Sequence, residues 1–422
     1  MEKTVGMTQW PGMFKRIAFA SLFVFLFFQI TYSICYADNA EVLPKGIHSV
    51  TLNGKFFFPV DERYNQDGNE EPIAADFNRP FGGPAFGLPA GAIIGDSVVS
   101  FEYDATIVEF IYTYGLNEKL MIAVFAEYWD LENKVNAGLD TTNATLGKSS
   151  TGVDFGFPLV PLAGGGPFGD AVPLTTQDGQ DLIGNGIDVN GDGVTDVPGY
   201  GYKPVGTWSD SGISDIEVGL RYQYYKTEQW RLAFTGGVRV PTGREDDPDN
   251  LVDFPFGAGA WALLFQFQND FLGFENIVLN ATFRYDLFLP DEKVMRIPDD
   301  VNQPITRNKE KVDRDIGDII ELEASGTYNF WNAFTFSLLY RFGYKMENKI
   351  SGNLGFAYDQ AEAETNYKEH VGIAGLSYST IPLVQAEKFP IPLRTTLSYR
   401  NRFAGENILK SDYIGLLLSV FF

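Results

Sequence analysis

The chain has 422 residues, of which 15% are aromatic, and its mean hydropathy is only −0.10. This value excludes a membrane protein built from several apolar helices, which would be far more hydrophobic. The formal net charge of −23 excludes nucleic acid as a partner, because an acidic surface repels phosphate. The single cysteine, Cys35, lies near the amino terminus, so we expect neither disulfides nor a catalytic thiol in the mature chain.

The amino terminus predicts a cleaved secretory signal peptide over residues 1–37. Lys15 and Arg16 precede an apolar run from Ile17 to Ile34, and Ala37 is the small residue expected at a cleavage site. The alternative is a retained membrane anchor of about 18 residues. Cleavage would leave residues 38–422 as the exported chain.

Beyond this segment, apolar and polar residues alternate in twelve stretches with the period of two that is typical of β-strands. The predicted strands lie at about 46–60, 103–115, 120–132, 215–224, 230–240, 257–268, 277–287, 320–328, 334–347, 366–378, 392–403 and 412–422. We expect long loops at about 61–95 and 133–213, and a tight turn near Phe271 to Gly273.

The clearest pair of strands is the hairpin from Ser214 to Gly243. One face of the hairpin carries apolar residues such as Tyr222 and Trp230, and the other carries Glu217 and Arg239. A soluble sandwich would bury the apolar face, whereas an outer-membrane barrel would turn it towards lipid and the polar face towards the lumen. The hairpin alone leaves both arrangements open.

The rest of the chain favours the barrel. The strand number is even, and the longer connections follow odd-numbered strands, with 379–391 as the exception, so both termini would lie in the periplasm. The last strand has apolar residues at every second position and ends at Phe422, which resembles the signal read by the outer-membrane assembly machinery. The alternative is an ordinary buried last strand. We therefore predict an all-β fold, a transmembrane antiparallel up-and-down β-barrel of about 12 strands, with long extracellular loops and short periplasmic turns.

In that orientation the lumen receives the charged face of each strand. The predicted lumen or substrate-path residues are Glu217, Arg221, Arg239, Arg284, Asp286, Glu321, Glu323, Arg341, Lys345, Glu347, Arg394, Arg400 and Arg402. Two interpretations stay open: the charges pair with one another and fill the barrel, or they line an open solute path. A constriction lined by arginine could also bind carboxylates, because a guanidinium pairs with them through two hydrogen bonds.

Two loop segments are unusually apolar. The stretch Phe77 to Ile94 has Arg79 as its only charge, and Gly156 to Leu174 has only Asp170. Large exposed apolar segments mark a binding site or something packed away. We expect them either to plug the barrel or to capture apolar solutes, and the two roles are compatible. The candidate capture residues are Phe77, Phe81, Phe86, Phe157 and Phe168.

The second of these loops also contains a partial calcium motif. Oxygen ligands at Asp188, Asn190, Asp192 and Asp196 follow the spacing of a calcium loop, but Gly199 stands where the bidentate glutamate is expected. An Asx/Gly turn is the alternative. No other cofactor is predicted. His48 and His370 are the only histidines and no nucleophile motif accompanies them, so we do not expect an enzyme.

Short motifs in the chain resemble an outer-membrane family named for the meta-cleavage pathway of phenol degradation. The main one runs from Gly236 to Gly259, with Pro241-Thr242-Gly243, an acidic loop and a glycine-rich return. Others are Leu43 to Gly46, Tyr114 to Lys119 and Ser214 to Ile216. The resemblance implies a transporter of aromatic or other hydrophobic compounds, loosely akin to fatty-acid channels. It implies no catalytic or ligand residues, and the charged lumen departs from a purely apolar conduit.

We therefore predict a monomeric outer-membrane channel for passive uptake of small hydrophobic or aromatic compounds. Its partners would be outer-membrane lipid and lipopolysaccharide, the assembly machinery at Phe422, and the solute. The first alternative is a general or anion-tolerant porin. The second is a surface or adhesive barrel that transports nothing.

Overall fold

A computed structural model describes residues 39–82, 90–149, 155–158, 171–188, 193–195, 197–300, 305–331 and 333–422. Twelve antiparallel strands form a closed barrel in which each strand pairs with its neighbours in the sequence. The strands are β1 His48–Phe57, β2 Ile93–Asn117, β3 Leu120–Asp140, β4 Ile216–Lys226, β5 Trp230–Val240, β6 Ala262–Phe274, β7 Ile277–Phe288, β8 Ile319–Phe330, β9 Phe334–Lys345, β10 Tyr367–Ser379, β11 Leu393–Glu406 and β12 Tyr413–Phe421. The predicted fold class and strand number are confirmed.

The barrel closes between its first and last strands. β1 pairs with β12 in register from Ser49 opposite Phe421 to Phe57 opposite Tyr413, and β1 pairs with β2 on its other side. The backbone N–H of His48 donates to the carbonyl of Phe422 at 2.8 Å. Closure removes the sheet edges, whose backbone groups lipid could not hydrate.

The alternation along the strands places apolar side chains outside and polar ones inside. In the β4–β5 hairpin, Tyr222 and Trp230 are 47% and 43% exposed, whereas Glu217 and Gln223 are 7% and 3% exposed. In an outer-membrane barrel the exposed apolar face is the one that meets lipid. Of the two arrangements open to the hairpin, the structure has the one with the polar face inside.

Several boundaries differ from those expected. β2 and β3 have 25 and 21 residues because they keep pairing beyond the rest of the barrel, up to Asp96 opposite Asp140. The end of the second long loop, Trp208–Ile213, is itself a strand paired with β3. The turn predicted near Phe271 lies instead at Glu275 and Asn276, where Asn276 has a φ of 61°, a conformation that asparagine tolerates better than most residues.

Most of the long connections lie on the extracellular side. They contain the short strands Glu62–Tyr64, Glu70–Pro72, Pro80–Gly82, Leu146–Ser149, Phe155–Pro158, Ala171–Val172, Gly186–Ile187, Val197–Pro198, Trp208–Ile213, Asp291–Arg296, Lys309–Asp315, Lys349–Ser351 and Ile408–Leu409, a 3-10 helix Ala75–Phe77, and helices α1 Thr176–Ile183 and α2 Tyr358–Glu362. The long periplasmic connection, exceptional in the sequence, holds helix α3 Ile381–Gln385. No helix in the described part of the chain is both long and apolar enough to cross a bilayer.

The motif at Pro241-Thr242-Gly243 forms a clasp at the extracellular rim. The Asp215 carboxylate accepts hydrogen bonds from the backbone N–H of Gly243 at 3.0 Å and of Ala258 at 2.8 Å. A Cβ at Gly257 would lie 2.2 Å from Asp215 Oδ1, so glycine is required for this approach. The sequence predicted that residues 257–261 begin strand 6, but they belong to this clasp, and β6 starts at Ala262.

Candidate functional site

An apolar plug fills the extracellular end of the barrel. The loop after β1 and the loop after β5 fold inward, and Phe254 packs on Trp129 of β3 with ring centroids 6.1 Å apart and on Tyr103 of β2 at 5.7 Å. The buried residues of the plug and of the wall it packs against are Val60, Ile73, Ala74, Phe77, Phe101, Tyr103, Ala105, Ile107, Trp129, Leu131, Val252, Phe254, Phe256 and Leu409. Burial of this apolar surface stabilises the inward fold of both loops.

Below the plug, charged side chains of neighbouring strands meet inside the barrel. The carboxylate of Glu369 on β10 lies 2.8 Å from Arg402 Nη2, 3.3 Å from Arg400 Nη2 and 3.6 Å from Arg341 Nε. All four of these side chains are buried. Because removing charges from water is costly, each one needs partners of the opposite sign.

Two more clusters continue the network around the wall. Arg239 bridges Glu217 at 2.7 Å and Asp286 at 2.8 Å. On the adjacent strands β1 to β3, Lys55 pairs with Glu109 and, at 3.3 Å, with Glu127. Thus the pairs extend over most of the barrel circumference.

We call the buried charges of the barrel strands, apart from Asp270 at the periplasmic end, the charge belt. It contains seven basic side chains, Lys55, Arg239, Arg284, Arg341, Lys345, Arg400 and Arg402, and seven acidic ones, Glu109, Glu127, Glu217, Asp286, Glu321, Glu323 and Glu369. The belt therefore carries no net charge when all its members are ionised. Such a belt lacks the excess of one sign that draws ions of the other sign into a pore.

The predicted lumen residues lie inside the barrel, with two qualifications. Arg221 is at the periplasmic end, apart from the belt, where it donates to the carbonyl of Asn39 at 2.8 Å. The prediction for Glu347 is wrong: this residue follows the end of β9, is exposed, and binds Lys349 at 3.0 Å. Lys345 is buried and donates to Asn348 Oδ1 at 2.6 Å.

The sequence reasoning missed four belt members: Lys55, Glu109, Glu127 and Glu369. The period-two pattern already placed Lys55 on the polar face of the first strand. Glu109 lies two residues from buried Ile107 on β2, and Glu127 lies two residues from buried Trp129 on β3, so the same alternation could have found both. Glu369 lies next to a register shift of β10, and only the structure shows its central position.

The amino-terminal segment crosses the periplasmic opening, and we call residues 39–46 the strap. Asp270 on β6 accepts the Ala40 N–H at 3.1 and 3.2 Å through its two oxygens, and Gln223 on β4 donates to the Ala40 carbonyl at 2.7 Å. At the other end, the Gly46 N–H donates to the Gly115 carbonyl on β2 at 2.8 Å. The strap is therefore fixed to separate parts of the wall.

A cavity of about 660 Å³ lies beside the strap at the periplasmic end. Its walls include Leu43 of the strap, Ile381 of helix α3 and Phe421 of β12, together with Arg221 and Arg394. We call it the periplasmic chamber. It is large enough for a small solute on its way out of the barrel.

A second cavity lies at the extracellular end, beside the plug. Residues of both long loops and of β2 and β3 line it, including Phe77, Phe81, Val99, Leu139 and Ile183. Its enclosed volume is about 70 Å³. We call it the extracellular cavity. Since an engineered apolar cavity of about 150 Å³ binds benzene, this one can enclose part of a single ring.

Of the candidate capture residues, Phe77 and Phe81 line this cavity and are 8% and 4% exposed. Phe86 and Phe168 lie outside the described residues, and Phe157 is described only as part of the short strand Phe155–Pro158. The predicted signal peptide also lies outside them. Phe77 belongs to both the plug and the cavity wall, so the plug and cavity roles coexist in the first apolar stretch. Among the described residues, none of Gly156 to Leu174 lies in either.

The calcium prediction cannot be placed in the same way. Asn190, Asp192 and Asp196 lie outside the described residues, while Asp188 accepts the Gly193 N–H at 2.7 Å. Within the described ranges, no three acidic, histidine or cysteine side chains converge as metal ligands would.

Comparison with known proteins places the fold and the family. An outer membrane channel from Pseudomonas putida F1 is similar with a TM-score of 0.52 at 11% identity, covering 91% of this chain and 98% of that one. The P. putida toluene transporter TodX and a Pseudomonas aeruginosa FadL homologue each give a TM-score of 0.33 at 10% identity, covering 90% of both chains. No curated protein sequence matches. A family model described as "Putative MetA-pathway of phenol degradation" matches residues 94–380. Because this match spans more than half of the chain, the protein belongs to that family, and its barrel is that of an outer-membrane protein.

Proposed function

We propose that the protein is an outer-membrane channel for passive uptake of small hydrophobic or aromatic compounds. The observation that carries this proposal is the extracellular cavity, whose walls are mainly aliphatic and aromatic side chains from loops at the mouth of the barrel. Apolar pockets with a few polar groups are typical of small-molecule sites. The family's association with phenol degradation supports aromatic solutes.

The interior argues against the first alternative, a general or anion-tolerant porin. Such a pore needs a hydrated lumen, whereas the belt side chains Lys55 and Arg341 are both 0% exposed. The belt also has equal numbers of acidic and basic groups, so it offers no net attraction to anions. We therefore expect a low ionic conductance.

The buried interior also implies that parts of the protein must move during uptake. The described residues of the plug and the belt are buried, and the strap is bound at the periplasmic end. We therefore infer that a solute in the extracellular cavity reaches the periplasmic chamber only if these layers rearrange. We propose that the plug loops and belt side chains rearrange as the solute passes, and that no energy source is involved. A surface barrel that only adheres would need neither the cavity nor the chamber.

The finer partner assignments belong to the same proposal. The protein would act as a monomer without catalytic activity, in contact with lipid and lipopolysaccharide, and the exposed Phe422 would be read by the assembly machinery before the barrel closes. A calcium ion at Asp188 and its neighbours stays a prediction; calcium would stiffen the loop and take no part in transport.

The test is uptake by Gram-negative cells that express the full-length protein, because toluene and phenol partition into a phospholipid bilayer without a channel, whereas the lipopolysaccharide leaflet of an outer membrane slows their entry. Leu139→Glu places a charge in the extracellular cavity, and Leu354→Glu is the matched control, since Leu354 is 63% exposed in another extracellular loop. We expect Leu139→Glu to abolish uptake of labelled toluene or phenol and the control to retain it. Wild-type uptake by Leu139→Glu would contradict the proposal, and a large steady ionic conductance of the wild type would favour the porin.

A further inference from the structure

We propose that the extracellular cavity binds a single aromatic ring that bears a carboxylate, and that Arg79 is the group that recognises the carboxylate. The inference rests on the proposed function and deepens it, since it divides aromatic solutes into acids and hydrocarbons. Arg79 is the only charged residue of the apolar stretch Phe77 to Ile94, and it lines the extracellular cavity.

The backbone of Arg79 is fixed to the barrel wall. Ser97 on β2 donates its N–H to the Arg79 carbonyl at 2.9 Å, and its hydroxyl donates to the same carbonyl at 3.1 Å. The next residues, Pro80–Gly82, pair with the start of β2. The guanidinium is therefore carried by the rigid barrel.

The Arg79 side chain is held at Nε, whereas its terminal nitrogens have hydrogen-bond donors left for a ligand. Arg79 Nε donates to the carbonyl of Asp76 at 2.6 Å, and within the described residues its two terminal nitrogens form no hydrogen bond or ion pair. Neither of those nitrogens is among the fully buried unsatisfied atoms, so both remain accessible. A guanidinium held at Nε presents its terminal N–H groups in a fixed plane, which suits a carboxylate.

The other polar groups of the cavity already have partners. The Gln180 amide makes two hydrogen bonds with the backbone of Val205, at 2.8 and 2.9 Å. The carboxylate of Asp76 pairs with Arg63, which is buried outside the cavity wall. Arg79 therefore supplies the free hydrogen-bond donors of a cavity that is otherwise apolar or satisfied.

The electrostatics agree with an anionic ligand. Burial lowers the pKa of the Arg79 guanidinium from its ordinary value, and the nearby carboxylates of Asp76 and Asp300 offset this only in part. The arginine stays charged at neutral pH. The carboxylate of a bound ligand would offset more of the hydration free energy that the guanidinium loses when it leaves water. The rings of Phe77 and Phe81 would contact the ring of the ligand.

The size of the cavity sets the size of the ring. With about 70 Å³ enclosed, one edge of a single ring can be buried while its carboxylate reaches Arg79, whereas a fused ring system exceeds the space. A site that provides donors for a ligand oxygen discriminates strongly against analogues without that oxygen, because its polar groups then stay unpaired.

The experiment measures the binding of benzoate and of toluene to the purified full-length protein in detergent, by calorimetric titration. We expect Arg79→Met to weaken benzoate binding roughly 10- to 100-fold, as for loss of a charge-assisted hydrogen bond, and to leave toluene binding within about twofold. Arg79→Lys keeps the charge without the planar pair of donors and should give an intermediate loss. Lys349→Met removes an exposed cation from another loop and should change neither.

Equal losses of benzoate and toluene binding in Arg79→Met, or unchanged benzoate binding, would overturn the assignment. Heat-modifiable migration of each variant checks that the barrel is folded. Binding in detergent and uptake are separate measurements, so failure of this inference is distinct from failure of the transport proposal. If Leu139→Glu blocks toluene uptake but Arg79→Met binds benzoate as the wild type does, the role of Arg79 is overturned and the transport proposal stands.

Discussion

Removing the carboxylate of Glu369 tests whether the interior of the barrel is a paired network or a hydrated lumen. Glu369→Gln keeps the shape of the side chain and removes the charge that lies within 3.6 Å of three guanidinium groups. Arg341 retains Glu323 at 3.7 Å. Among the described residues, Arg400 and Arg402 retain neutral hydrogen-bond acceptors: Arg400 donates to the Ser411 carbonyl at 2.7 Å, and Arg402 donates to the Ser411 hydroxyl at 3.0 Å and to the Leu409 carbonyl.

The size of the effect follows from burial. Removing one partner from a buried ion pair costs about 3–5 kcal/mol, because an uncompensated charge remains. Here Ser411 partly satisfies the two arginines, so we expect the lower end of this range, about 3 kcal/mol. In a water-filled lumen, water would screen the same ion pairs. The substitution would then cost about 0–1 kcal/mol, as for an ion pair on the protein surface.

The assay is reversible urea unfolding of the barrel in phospholipid vesicles, followed by tryptophan fluorescence. The matched control is Glu102→Gln, in which the same chemical change breaks a pair with Lys134 whose members are 43% and 46% exposed. If the loss in unfolding free energy for Glu369→Gln lies within about 0.5 kcal/mol of the loss for the control, the belt is hydrated, and a general porin is then the better interpretation. The double variant Glu369→Gln/Arg402→Met should recover part of the loss, because it removes one of the unpaired charges.

Two further predictions concern the loops and the strap. Burial raises the pKa of Glu364, in an extracellular loop, to about 7. The folded state thus favours the neutral acid. The stability gained in this way is complete below pH 4.5, the ordinary pKa of the group, and is lost as the pH rises through 7. Glu364→Gln should therefore raise the melting temperature at pH 8 and leave it unchanged at pH 4.5, whereas an equal shift at both pH values would show that titration is not involved. At the periplasmic end, Asp270→Ala should speed hydrogen exchange of the Ala40 amide roughly 5- to 30-fold. Exchange of the Gly46 amide, which donates to the Gly115 carbonyl, should stay slow. Equal exchange of the Ala40 amide in wild type and variant would mean that Asp270 does not hold the strap.

The barrel could be predicted because its wall is a local pattern. Alternation along each strand fixes which residues face lipid, and strand number and loop asymmetry fix the topology, so Tyr222 and Trp230 could be assigned to the exterior from the sequence. Boundaries were less certain. The pairing of Asp96 with Asp140 beyond the membrane, and the left-handed turn at Asn276, depend on neighbours that the local pattern does not contain.

The interior could be predicted only by residue type. The alternation assigns Arg341 and Arg400 to the lumen. Their common partner Glu369 lies on the strand between them, and the stagger of neighbouring strands decides which side chains come level. The inward fold of Phe254 against Trp129, and the insertion of the strap beside Gln223, join segments more than a hundred residues apart. No periodicity reports such contacts.

The arrangement of layers separates two properties of transport. The belt is neutral and its charges are paired with one another. We therefore expect it to show little difference in affinity between small solutes, and we expect its rearrangement to set the rate of passage. The extracellular cavity has unsatisfied donors at Arg79 and apolar walls, so differences in affinity between solutes arise there. Substitutions in the cavity should therefore change which compound is bound, whereas substitutions in the belt should change how fast any compound passes. A belt variant that altered the preference between benzoate and toluene without altering the rate would contradict this division.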